Sequence, residues 1–87
     1  MALNKFSALS GFIDQANDYV DYDQRLKAKK HLEKIKQISS NYAQCESSKT
    51  EKNKYKTISS LTEQIIDENR FRDLPKLKQL CKNYSNM

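Results

Sequence analysis

Arg25–Tyr42 reads RLKAKKHLEKIKQISSNY, and this stretch decides the fold. Ala28, Leu32, Ile35, Ile38 and Tyr42 recur at spacings of three and four, the period of one helix face. Arg25, Lys27, Lys29, Lys30, Lys34 and Lys36 occupy much of the remaining surface. One side of this helix therefore requires a core, and the other requires water or an anion. His31 flanks the apolar stripe, the usual place for a half-buried structural histidine.

The same period extends in both directions. Upstream, Leu3, Phe6, Leu9, Phe12, Ile13, Ala16 and Val20 mark a first helix. Gly11 interrupts it at a cost of about 1 kcal/mol relative to alanine, so fraying or a kink is expected there. Downstream, Tyr55, Ile58, Leu61 or Thr62, Ile65, Ile66 and Asn69 mark a third helix with Glu63, Asp67 and Glu68 on its exposed face. A short fourth helix carries Leu74, Leu77, Leu80, Cys81 and Tyr84, with Asp73 as N-cap and Pro75 tolerated in the first turn.

The predicted fold is all-α: a single helical domain over residues 1–87, three longer helices plus a short C-terminal one in a compact bundle. One glycine and one proline suit this class, because a β-rich chain needs many more turn residues. Breaks are expected near 21–23, 45–53 and 70–73. Asp21 and Asp23 are the expected caps of the second helix. Residues 45–54, CESSKTEKNK, read as a polar connection with Ser47, Ser48 and Thr50 as further caps. The rival is one continuous helix, or a long hairpin that dimerises to cover its stripe.

An internal echo bears on that choice. Lys34–Gln44, KIKQISSNYAQ, resembles Lys54–Gln64, KYKTISSLTEQ. In one continuous helix the two copies would be turned by roughly 200° and face opposite sides. Two helices folded together bury both.

Composition narrows the function. Sixteen lysines and arginines against eleven carboxylates give a net charge of +5, which suits an acidic partner and also plain solubility. Acidic segments (1–23, 63–69) alternate with basic ones (24–45, 46–62, 70–87), so part of the charge is expected to be neutralised between helices. No run approaches the roughly 20 apolar residues a bilayer span needs. The first helix has an acidic polar face, which opposes anionic lipid, so no membrane role is expected. Cys45 and Cys81 form no close motif, and the N-terminus makes a poor signal peptide; a cytoplasmic protein with free thiols is expected.

Chemistry is sparse. The acidic segment NDYVDYDQ lacks the mid-loop glycine and terminal glutamate of a calcium loop. Two cysteines and one histidine without CxxC spacing are a weak zinc set. A Cys–His nucleophile would need a low-pKa thiol beside His31 and a third group to orient the ring. No glycine-rich loop exists to cradle phosphate. The expectation is a non-enzymatic protein without metal or cofactor.

Two binding roles remain. The first is docking on a larger protein, as adaptors, regulators and inhibitors do, those of mobile elements among them. Tyr19 and Tyr22 bracket the acidic turn, and tyrosine joins a large apolar body to a polar tip. With Arg25, Lys27, Lys29, Lys30, Lys34 and Lys36 they form the predicted partner-binding set. The alternative is DNA or RNA binding, with those lysines along the phosphate backbone. Lysine far outnumbers arginine, so such binding would be mainly non-specific. A helix-turn-helix over Leu61–Tyr84 is a poor match, since its turn lacks glycine and Ile65 and Ile66 are bulky.

Overall fold

The computed structural model describes residues 5–86. Four α-helices follow one another: α1 (Lys5–Asp21), α2 (Arg25–Cys45), α3 (Lys49–Glu68) and α4 (Leu74–Ser85). A single 3-10 turn, Phe71–Asp73, leads into α4. Side-chain contacts fix their directions. Tyr42 meets Tyr55, Ser40 meets Ser59 and Lys36 meets Glu63, so α2 and α3 run antiparallel. Phe6 meets Tyr84 and Asp14 meets Lys78, so α1 and α4 do the same. The helices thus form an up-down-up-down bundle in which α1 packs on α2 and α4, and α3 on α2 and α4. The Cα radius of gyration is 12.3 Å. A globule of this length has a radius of about 12 Å, so no helix stands apart from the core.

Each predicted stripe lies inward. Leu9, Ile13 and Ala16 from α1, Leu32 and Ile35 from α2, Ile58 and Ile65 from α3, and Leu74, Leu77 and Cys81 from α4 form one buried cluster. Thr62, not Leu61, takes the buried position of α3. Its hydroxyl donates to the Ile58 carbonyl at 2.7 Å, and Ser39 donates to Ile35 at 2.8 Å. These bonds back into the helix let small polar side chains sit in the core without an orphaned donor. Leu3 lies outside the described residues.

Three expectations are corrected. The connection expected over 45–53 shrinks to residues 46–48, and α3 begins at Lys49. Glu46 adopts an extended backbone, which separates α2 from α3 and rules out a continuous helix. Lys49, Glu51, Lys52 and Lys54 are good helix formers, and the Glu51–Lys54 ion pair at 3.0 Å supports the first turns. Both copies of the echo accordingly meet across the α2–α3 seam, where Ser40 and Ser59 lie 3.0 Å apart.

Asp21 and Asp23 do not cap α2. Asp21 is the last residue of α1, and the N-cap of α2 is Gln24, without a side-chain bond. Backbone closes this turn instead: Gln24 N–H donates to Tyr19 at 2.7 Å and Asp23 N–H to Val20 at 3.0 Å. That pair is the Schellman helix stop, with Asp23 in the left-handed region at φ 58°. Asn69, at φ 53°, ends α3 in the same region. Asp73 does occupy the N-cap of α4, without a side-chain bond, and Pro75 lies in the first turn.

Of the five tyrosines only Tyr55 is buried; Tyr19, Tyr42 and Tyr84 are half-buried and Tyr22 is exposed. Tyr42, Tyr55 and Tyr84 gather with Phe6 at one end of the bundle. Lys5 Nζ lies 5.1 Å from the Tyr42 ring centre and Lys54 Nζ 5.6 Å from that of Tyr84. The third correction is at Gly11, where fraying or a kink is expected and α1 instead runs through as one unbroken helix.

Candidate partner-docking surface

The opposite end of the bundle, where α1 turns into α2 and α3 into α4, is built differently. The three-residue α1–α2 turn cannot bury its own side chains. Tyr22 is 78% exposed, and Leu26, four positions on in the first turn of α2, is 79% exposed. Among the described residues the only other exposed large apolar side chain is Leu61, at 36%. Single exposed leucines are ordinary; here two large apolar side chains are exposed four positions apart at one corner.

The basic helix divides into two rows. Lys27, Lys30 and Lys34 are all exposed, and at about 100° per residue they fall within about 60° of arc on the solvent side. None forms an ion pair with another described residue. Leu26 lies one turn before Lys30 on the same side. Arg25, Lys29 and Lys36 form the other row, toward α3. Lys36 donates to Glu63 at 3.3 Å and is committed to the bundle. Lys29 is half-buried, and Arg25 is exposed at the start of α2. Lys78 pairs with Asp14 across α1 and α4, so the neutralisation expected between helices occurs at two inter-helix pairs.

Tyr19 and Tyr22 part company. Tyr22 points outward, whereas Tyr19 packs at a steep angle on His31, ring centres 6.0 Å apart. Phe12 stands at the same distance on His31. The imidazole Nε2 is buried between these rings without a hydrogen-bond partner. His31 is therefore a packing residue, as its place beside the stripe implies. Among the described residues no three His, Cys, Asp or Glu side chains are grouped to hold a metal ion. No described helix is long and apolar enough to cross a membrane.

Sequence reasoning missed Leu26. Two residues before Ala28, it lies about 160° around the helix from that buried residue, a signal present in the sequence. It also missed a cleft of about 440 Å³ at this end of the bundle, lined by Asn17 and Asp21 from the end of α1, Arg25 from the start of α2, and Asn69, Phe71 and Arg72 from the α3–α4 connection. Nothing local in the sequence joins residues 17–25 to 69–72; only the closed bundle does.

No protein-family model matches the chain, and no curated protein or solved structure matches it either.

Proposed function

We propose that the protein is a non-enzymatic docking protein that binds an acidic surface on a larger protein through the α1–α2 corner and the solvent side of α2. One observation carries this reading: Tyr22 and Leu26 are exposed beside Lys27, Lys30 and Lys34, which have no ion-pair partners among the described residues. Apolar anchors ringed by unpaired charge are the composition of a protein interface, in which aromatic side chains supply affinity and peripheral charge supplies steering. A reducing cytoplasm suits the exposed thiol of Cys45.

The second reading, nucleic-acid binding, is favoured by the same free lysine row, which can follow a phosphate backbone. The two differ in what they ask of Tyr22 and Leu26. The test begins with capture of a partner from the native host, followed by titration of that purified partner. Tyr22→Ala with Leu26→Ser, and separately Lys27→Glu with Lys30→Glu and Lys34→Glu, should each weaken binding about tenfold or more. Circular-dichroism melts should stay near wild type, because exposed changes shift stability by only about 0.5 kcal/mol each. A gel shift with mixed nucleic acid that weakens steeply with salt, needs the lysines and ignores Tyr22 and Leu26 would overturn the first reading in favour of the second.

A further inference from the structure

Beside the exposed corner, the ends of all four helices leave the 440 Å³ cleft. Its two cations come from separate elements, Arg25 from the first residue of α2 and Arg72 from the turn before α4. Neither guanidinium forms an ion pair with another described residue; the neighbouring Arg70 is the one paired with Glu68. Phe71 gives the cleft a half-buried apolar wall. Asn17 and Asn69 contribute carboxamides, which carry a donor and an acceptor each. Asp21 contributes one carboxylate on the α1 side.

We infer that this cleft receives an acidic peptide segment, with one side-chain carboxylate held between Arg25 and Arg72. The inference rests on the docking function proposed above and names the chemistry of what docks. Guanidinium is planar and presents paired N–H donors that match a carboxylate in bidentate fashion. The carboxamides of Asn17 and Asn69 suit the alternating donors and acceptors of a peptide backbone. A polyphosphate or nucleic-acid strand offers mainly acceptors and would set a second negative charge against Asp21. A purely apolar segment would leave both arginines unmatched. Tyr22 and Leu26 directly follow the lining residues Asp21 and Arg25 in the chain, at the same end of the molecule, so one peptide-bearing surface can meet both.

The test is a nitrogen-15 NMR titration of the full chain with acetyl-Phe-Glu-Phe-amide, its Gln counterpart and inorganic phosphate, each to millimolar concentration. The Glu peptide should move the Arg25 and Arg72 side-chain signals and the Asn69 and Phe71 amides. The Gln peptide should bind about tenfold more weakly, as should the Glu peptide to Arg72→Ala. Arg72→Lys should recover part of the binding, since charge remains while the planar fork is lost. The same spectra report that each variant is folded. No movement of these signals, equal binding of the Gln peptide, or stronger shifts with phosphate would each overturn the inference. If a captured partner still needs Tyr22 and Leu26 but is indifferent to Arg72→Ala, the cleft assignment fails while the docking function stands.

Discussion

Phe6 of α1 stacks on Tyr55 of α3 with ring centroids 4.6 Å apart and planes 16° from parallel. The contact crosses the bundle diagonally, and Tyr84 and Tyr42 lean on it from α4 and α2. One aromatic cluster therefore ties all four helices together at the end remote from the docking corner.

Phe6→Ala should cost about 3 kcal/mol or more, as large-to-small changes in packed cores do. In a double-mutant cycle with Tyr55→Ala the coupling should be about 1 kcal/mol, the part owed to the ring pair itself. Chemical denaturation measures both. A Phe6→Ala protein as stable as wild type would show that the stack holds nothing together.

The alkaline limb of stability should be set by Cys81 with help from Tyr55. Burial in the core pushes the Cys81 thiol from its ordinary 9.0 up to about 12. Burial raises Tyr55 too, and Glu46, Glu51 and Tyr42 add to it. Both groups keep their protons longer folded than unfolded. The contribution of the buried thiol is thus present below pH 9.0, falls as pH rises from there, and is gone only past about 12. For the thiol the loss at that limit is about 4 kcal/mol. Denaturant midpoints across this range should decline, and Cys81→Ala should flatten the decline between pH 9.0 and about 12. At neutral pH an aromatic disulfide reagent should label exposed Cys45 promptly and buried Cys81 only on unfolding. Equal labelling rates in the native protein would contradict the assignment.

Gly11 and Asp23 each occupy a backbone position that another residue suits better. Gly11 lies mid-helix on the exposed side, and a Cβ there would meet nothing within 4 Å. Asp23 holds a left-handed backbone that glycine adopts without strain. Gly11→Ala should raise stability by about 1 kcal/mol and Asp23→Gly by about 0.5 kcal/mol. The sites are twelve positions apart and share no contact, Gly11 in the body of α1 and Asp23 in the turn after it, so the gains should add in thermal melts. A loss at Gly11→Ala would mean that the exposed face of α1 is covered by something.

The helices were legible because their stripes are regular: Leu32–Ile35 and Ile58–Ile65 predict burial by spacing alone, and the structure buries them. Boundaries were harder. Lys49–Lys54 has no apolar residue to mark its face, so its helix rests on propensity and the Glu51–Lys54 pair. The α1–α2 stop rests on backbone geometry at Asp23, where sequence suggests a side-chain cap. The lysine row could be laid out on a helical wheel, but not that Lys36 would be taken by Glu63 while Lys30 stays unpaired. That division depends on the α2–α3 register. Arg72 could not be joined to Arg25 without the closed bundle.

The ladder along α2 and α3 has one further consequence, for the order of assembly. Ser40 and Ser59 are nineteen positions apart, so their contact closes a short loop. The Phe6–Tyr84 contact closes nearly the whole described chain. Entropy grows only with the logarithm of loop length, and the longer closure costs about 1 kcal/mol more. That difference is small for a folded bundle and large for a half-formed one. Tyr19 and Phe12 on His31 close loops as short, so the hairpins of α1 with α2 and of α2 with α3 are the elements that can assemble first, and the contact of α1 with α4 is the clasp that shuts on them.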